Sequence, residues 1–247
     1  MQRFIVPAAI SSGKVEITGA EANHLYRVLR LHPGDIIEVF DGQGQAYLAK
    51  LVDTSPLTST AEILQPVPGG REPEVQFILA QALVKGEKMD WIIQKGTELG
   101  VHTFVPFCCE RTVVKLTGEK TFKRRERWQR IAQEAAKQCG RPVVPKVEPV
   151  VKLAEVLAKY NSHGIGLLPW EGEYKRGIKA VLQENVHKLN SLLVIIGPEG
   201  GFTQDEVESA QSNGIQVVSL GPRILRAETA ALATVTMALY EFGELGG

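Results

Sequence analysis

The sequence predicts an α/β protein: a small β-rich unit over residues 1–68, then a larger unit over 74–247 built on a parallel sheet. Three observations carry this. Beyond residue 74, strand-length apolar runs alternate with segments of helical period, the rhythm of a parallel sheet covered by helices. The stretch 65–73, QPVPGGREP, is crowded with residues that end regular structure and reads as a linker. Near the C-terminus two apolar strands, 192–196 and 216–220, each run into a Gly-Pro turn and then a helix. That pattern places a ligand crevice at the carboxyl edge of the sheet.

In the first unit, 3–6 and 14–18 are short strands. Thr18-Gly19-Ala20-Glu21 has the spacing of a capping box and opens a helix with Leu25, Val28 and Leu29 on its apolar side. The same helix presents His24, Arg27 and Arg30. After the turn His32-Pro33-Gly34-Asp35, strand 36–40 meets strand 46–52 across Asp41-Gly42, a strong hairpin signal. A last strand covers 60–64.

In the second unit, 75–79 is a continuous apolar strand. Met89, Ile92, Ile93, Gly96 and Leu99 recur at helical spacing until Gly100 stops the helix. Strand 101–107 follows, then a basic helix whose apolar stripe is Trp128, Ile131, Ala132, Ala135 and Ala136. Helix 153–160, strand 165–168 and helix 174–187 continue the alternation. Thr203 with Glu206 three places on opens the next helix as a second capping box. The last helix starts near Arg226. Ala227, Ala230, Ala231, Ala233, Thr234, Val235, Ala238 and Phe242 cover more of its girth than one buried stripe needs. It is either deeply buried or shared with a second subunit.

At 247 residues, 44% apolar and 23% charged, the chain can build a substantial core. No apolar run nears the about 18 residues that suggest a membrane span, and the start lacks the charge and apolar run of a signal peptide. A cytoplasmic protein is expected. Three cysteines, two of them adjacent at Cys108 and Cys109, offer neither a disulfide framework nor metal-ligand spacing. The net charge of zero argues against a nucleic-acid binder when taken alone. Its distribution does not: between Glu110 and Arg141 ten Lys or Arg face four acids, a balance of +6, whereas from Glu199 onward seven acids face two arginines, a balance of −5. The ten cations are Arg111, Lys115, Lys120, Lys123, Arg124, Arg125, Arg127, Arg130, Lys137 and Arg141. Such asymmetry permits a local polyanion surface, although charge alone fits a solvated helix face equally well.

The two turns limit the ligand. Neither has the Lys and Ser/Thr of a Walker A loop or the spacing of a dinucleotide fingerprint. Gly197, Gly200 and Gly201 let the backbone approach a ligand closely. Glu199 inside the turn repels phosphate, so a ligand with a positive centre and a flat base suits it better than a nucleotide polyphosphate. Arg226 stands at a helix start, where the macrodipole disfavours a cation. It reads either as a salt bridge to Glu228 or as an arginine facing substrate across the crevice.

The segments IGPEGGFTQDEVE and SLGPRILRAETAAL closely resemble the signature motifs of the small-subunit ribosomal RNA uridine-N3 methyltransferases, of the knotted SPOUT class. RFIV, HLYRVLRLHPGD, KGEKMDWIIQKGTELGV and RWQRIAQEAAKQCGR match further family landmarks, so the resemblance spans the chain. It implies a PUA-like RNA-binding β-barrel at 1–68 and a SPOUT domain at 74–247, with a trefoil knot and cofactor site near 166–242. It implies S-adenosylmethionine as cofactor, bound by Leu168, Pro169, Ile196, Gly197, Pro198, Glu199, Gly200, Gly201, Leu220, Gly221, Arg223, Ile224 and Leu225. It also implies a homodimer, and a target uridine in the decoding region of 16S ribosomal RNA within the small subunit.

Methyl transfer from a sulfonium needs no metal. Arg226 is the expected stabiliser of charge on the uridine carbonyls, with Glu199 or Glu228 as candidate base. RNA contact is expected from Arg124, Arg125 and Arg127, or from Arg3, His24, Arg27 and Arg30. The rival readings are a non-catalytic RNA-binding module and a methyltransferase of the same class acting on another RNA site.

Overall fold

The computed structural model describes residues 1–6, 13–68, 72–114, 118–160, 164–185 and 190–246. The chain forms two compact units, Met1–Glu72 with Gln133–Val144, and Pro73–Ala132 with Pro145–Gly247.

In the first unit, β1 (Arg3–Ile5), β2 (Lys14–Thr18), β3 (Ile36–Phe40), β4 (Ala46–Asp53) and β5 (Thr58–Pro66) make a five-stranded sheet ordered β1-β3-β4-β5-β2. The pair β1/β3 is parallel and the others are antiparallel. The Asp41-Gly42 hairpin forms as expected: the Asp41 carboxylate accepts from the backbone N–H of Gln43 at 2.7 Å and of Gln45 at 3.0 Å, and β3 pairs β4 directly behind it. Phe4, Ile17, Leu25, Ile37, Val39 and Leu51 fill the core. Among the described residues no ladder joins β1 to β2.

Two expectations fail in this unit. Helix α1 (Gly19–Asn23) starts after Thr18, but the capping box is not made, because Lys137 takes the Glu21 carboxylate at 2.9 Å. The chain then widens into a π-helical turn, His24–Val28, closed by the Leu29 N–H on the His24 carbonyl at 3.0 Å. That change of period leaves Leu25 buried and turns Val28 outward at 63% exposure. The second correction is Arg3, which is buried and unavailable to RNA. Its guanidinium pairs with Glu38 at 2.9 Å, donates to the carbonyls of Ala136 and Lys137 at 3.0 and 3.1 Å, and lies over the Phe40 ring. Those are last-turn carbonyls of α3 (Glu119–Cys139), so Arg3 serves as a cationic cap on a helix C-terminus. Arg141 similarly pairs with Glu72 at 2.6 Å.

The second unit carries the remaining strands in one parallel sheet: β6 (Gln76–Ala82), β7 (Thr103–Cys108), β8 (Lys146–Val147), β9 (Val151–Lys152), β10 (Ile165–Pro169), β11 (Ser191–Ile196) and β12 (Gln216–Val218). The order is β12-β10-β11-β6-β7-β8, with β9 also on β7, and every pairing is parallel. One face buries Met89, Ile92 and Ile93 of α2 (Lys88–Leu99), Trp128 and Ala132 of α3, Val181 of α5 (Ile178–Gln183), and Ala231 and Val235 of α7 (Ala227–Glu241). The other buries Val156 and Leu157 of α4 (Leu153–Tyr160) and Val207 and Ala210 of α6 (Gln204–Ser212). A sheet covered on both faces explains the continuous apolar strands. Gly100 ends α2 in the left-handed conformation at φ 109°, the expected glycine stop.

Helix 174–187 is shorter than expected, and its predicted end at His187 lies outside the described residues. The Glu173 carboxylate accepts from the backbone N–H of Lys175 and Arg176, at 2.6 and 3.0 Å, which folds 173–176 into a turn. Gly177 is extended, and α5 begins only at Ile178. Along α7, Ala227, Ala231, Thr234, Val235, Ala238 and Leu239 are buried within the chain itself.

Candidate active site

Strands β10, β11 and β12 end side by side, and a cavity of about 690 Å³ opens at their carboxyl ends. This is where an open parallel sheet places a ligand, and the volume lies within the range of small-molecule sites. Three loops wall it: one after β10 from Pro169 to Tyr174, one after β11 from Ile196 to Phe202, and one after β12 from Ser219 to Arg226. All the expected cofactor residues reach it except Leu168, which is fully buried in the core beneath and leaves Pro169 as the first residue of its strand end to line the cavity.

Each turn is fixed by its own chemistry. After β11, the Gly201 N–H bonds to the Pro198 carbonyl at 2.9 Å, and Gly201 sits at φ 68°. A side chain there would be strained, and its Cβ would run into the Glu171 carboxylate. The Arg111 guanidinium donates to the Gly200 carbonyl at 3.0 Å, and Phe202 is buried against the Phe107 ring. The expected capping box is complete: the Glu206 N–H donates to the Thr203 hydroxyl, while the Glu206 carboxylate accepts from the Thr203 N–H. After β12, Ser219 is tied by backbone bonds to Arg176 and Ile178, and Gly221 takes φ 105°.

Lys88, the first residue of α2, was not singled out by the sequence. Its ammonium lies 3.1 Å from Glu199 in the first turn and 3.3 Å from Glu228 in the first turn of α7. One cation therefore ties together two elements that wall the cavity. The Lys85 N–H also donates to Glu199, at 3.1 Å. Burial pushes the Glu199 carboxyl upward, but hydrogen bonds from its own N–H and that of Lys85, with the Lys88 ammonium, outweigh it and hold the carboxyl below its ordinary value. The same hydrogen bond to Glu199, chiefly, raises Lys88, against some desolvation.

Arg226 is the N-cap residue of α7 in extended conformation, with an exposed side chain lining the cavity. Glu228 is taken by Lys88, so the salt bridge considered for Arg226 does not form. Among the described residues the Arg226 guanidinium has no ion-pair or hydrogen-bond partner. Three more residues that the sequence reading left unassigned line the cavity: Trp170, Glu171 and Tyr174, on the loop after β10. The only signal for them was their place after a predicted strand end.

The candidate RNA residues divide by environment. On α3, Arg125 donates to the Val147 carbonyl at 2.9 Å and Arg127 pairs with Asp90, so both are already engaged; Arg124 is half-buried. Lys115 lies outside the described residues. In the first unit Arg27 and Arg30 are exposed, with His24 half-buried beside them. Among the described residues no helix is long and apolar enough to cross a membrane.

Comparison with known proteins agrees with this architecture. A family model described as an RNA methyltransferase domain matches residues 71–239, and one described as an RNA methyltransferase PUA domain matches 17–64. Ribosomal RNA small subunit methyltransferase E of Bacillus subtilis (strain 168) is 38% identical over 256 residues, covering 100% of this chain and 99% of the relative. Its counterpart in Synechocystis is 37% identical over 249 residues, covering 98% of this chain and 76% of the relative. Among solved structures, ribosomal RNA small subunit methyltransferase E from Neisseria gonorrhoeae bound to S-adenosyl methionine superposes with a TM-score of 0.87 at 36% identity, covering 97% of both chains. A putative methyltransferase from Legionella pneumophila in complex with the same cofactor gives 0.87 at 30% identity, covering 96% of both. With an α/β domain on a parallel sheet and a PUA-like N-terminal domain, the chain belongs to the RNA methyltransferase family that includes ribosomal RNA small subunit methyltransferase E.

Proposed function

We propose that this protein is an S-adenosylmethionine-dependent methyltransferase acting on N3 of a uridine in the decoding region of 16S ribosomal RNA. The observation that carries the reading is the cavity at the ends of β10, β11 and β12, walled by both glycine turns. Its residues fit the cofactor. Backbone and apolar groups dominate the walls, and Gly201 and Gly221, both at positive φ, present bare backbone to the cavity. The acids at Glu173 and Glu199 suit a cationic ligand better than a polyphosphate. When bound, S-adenosylmethionine supplies an electrophilic methyl group on a sulfonium.

The chain's own residues then divide the work. The first glycine turn, held by Lys88, Lys85 and Arg111, is a rigid backbone surface for binding. Arg226 is a preorganised cation for the negative charge that spreads over the uridine carbonyls as N3 gives up its proton. Glu199 and Glu228, considered as bases, are both committed to Lys88, and the lowered carboxyl of Glu199 makes it a poor proton acceptor. Their role in this reading is to hold the site's walls.

The wider reading assigns residues 1–68 to RNA binding and 74–247 to methyl transfer, with a trefoil knot near 166–242. It includes a homodimer in which Tyr240, 67% exposed on α7, meets a second copy. RNA would meet Arg27, Arg30 and His24, with Arg124 as a further contact, and the protein would work in the cytoplasm. The test is a deletion strain: small-subunit RNA from it should lack one N3-methyluridine, and the purified protein with S-adenosylmethionine should restore it. Absence of saturable cofactor binding by calorimetry would leave an RNA-binding module instead.

A further inference from the structure

Among the described residues four carboxylates stand at or beside the cavity, and the structure commits three of them. Glu199 accepts from the Lys85 N–H and the Lys88 ammonium. Glu228 lies against the same ammonium at 3.3 Å. Glu173 accepts two backbone N–H groups from its own turn, and those bonds from Arg176 and Lys175 hold its carboxyl below the ordinary value. Glu171 is the exception. It lines the cavity from the loop after β10, and its carboxylate lies close to Gly201. Its side chain is exposed at the mouth, and among the described residues it has no hydrogen-bond or ion-pair partner.

We propose that Glu171 is the general base that takes the N3 proton of the target uridine. This rests on the methyltransferase reading above and adds the proton path it lacks. Ile196 and Ala227, which also line the cavity, are buried, so the substrate base enters from the exposed side. Glu171 is on that side, and its oxygens are free to accept. In the step, the N3–H bond breaks and the proton passes to a Glu171 oxygen. The N3 electron pair forms the bond to the methyl carbon, and the sulfur–carbon bond breaks with its pair left on sulfur, giving a neutral thioether. The glutamic acid so formed returns its proton to water at the mouth. An exposed carboxylate is a weak base for an imide proton, so transfer is concerted with carbon–nitrogen bond formation, with Arg226 holding the charge that appears on the carbonyls.

The test is Glu171→Gln, which keeps shape and removes the basic oxygen, read first by binding. Calorimetry should give unchanged affinity for both S-adenosylmethionine and S-adenosylhomocysteine, with an unchanged melting midpoint. Single-turnover methylation of small-subunit RNA should fall about 10²–10⁴-fold, the usual span for a lost general base. The loss should shrink on RNA transcribed with 5-fluorouridine, whose N3 proton is more acidic, and Glu171→Asp should keep part of the rate. Turnover of Glu171→Gln within about threefold of the unaltered protein overturns the proposal. So does a loss no smaller on the fluorinated RNA. Weakened binding of S-adenosylmethionine with that of S-adenosylhomocysteine intact also overturns it, since the carboxylate then faces the sulfonium. If the unaltered protein binds no cofactor, the methyltransferase reading falls and this proposal with it. Intact binding with unaffected variant turnover removes Glu171 alone.

Discussion

Replacing Lys88 by methionine removes the cation that, among the described residues, Glu199 and Glu228 share, while keeping most of the side chain's bulk. Its ammonium is 3.1 Å from one carboxylate and 3.3 Å from the other, so the variant leaves two like charges near each other with nothing between them. Glu228 has only 16% of its side chain exposed, so solvent compensates poorly there. Lys88 and Glu199 are about a third exposed, which discounts each pair toward the 0.2–1 kcal/mol of surface ion pairs. Two such pairs, one of them part-buried, give about 1–2 kcal/mol. Because the strain falls on the glycine turn and on the start of α7, it should appear in cofactor binding. At about 1.4 kcal/mol per tenfold, affinity for S-adenosylmethionine should drop roughly 5–30-fold by calorimetry. Lys88→Arg should recover part of it, and Lys88→Met with Glu199→Gln should bind better than Lys88→Met alone, because the repulsion is gone. Binding of Lys88→Met within twofold of the unaltered protein would show that the turn is held without this cation.

Four further outcomes follow from the same site and from the first unit. Arg226→Ala should fold and bind S-adenosylmethionine normally but lose about 10²–10³-fold in methyl transfer, since its exposed guanidinium supports nothing else in the chain; rapid-quench turnover on small-subunit RNA checks it. Neutralising Arg27 and Arg30 together should weaken RNA binding and reduce the slope of log affinity against log salt by about 2, whereas Arg3→Ala should lower the melting midpoint, because it removes a buried pair with Glu38. The Glu199 carboxyl is held below its ordinary 4.5 in the folded chain, so it adds stability above that pH and loses it as pH falls through the folded value. Melting curves of Glu199→Gln and the unaltered protein should therefore differ near neutrality and converge below pH 4.5.

Most of the fold was legible because its signals are local. The Thr203–Glu206 capping box, the Gly100 stop and the Asp41-Gly42 hairpin need only a few neighbouring residues, and each formed as the sequence implied. The failures are tertiary. Nothing near Thr18 announces that Lys137, over a hundred residues away, will take Glu21 and undo the first capping box. Nothing in RFIV says that Arg3 will be buried on the end of a helix rather than exposed to RNA. The turn at Glu173 was hidden because its carboxylate bonds backbone groups, which a side-chain pattern does not show. The candidate site divides the same way. The two glycine turns and Arg226 were readable as strand-end and helix-start features. The Lys88 bridge joins residues 88, 199 and 228 and exists only after the sheet has assembled. Glu171 stands out only once the partners of the other acids are known.

The grouping of Gln133–Val144 with the N-terminal residues has a practical consequence. The linker looks like a natural place to divide the gene, yet a product ending near residue 68 would lack the Ala136 and Lys137 carbonyls that Arg3 needs and the lysine that Glu21 holds. It would carry a buried cation whose backbone acceptors had been left on the other piece. The first unit is thus continuous in space and interrupted in sequence. A fragment meant to report RNA binding by itself must have that second segment grafted back, or be studied within the whole chain.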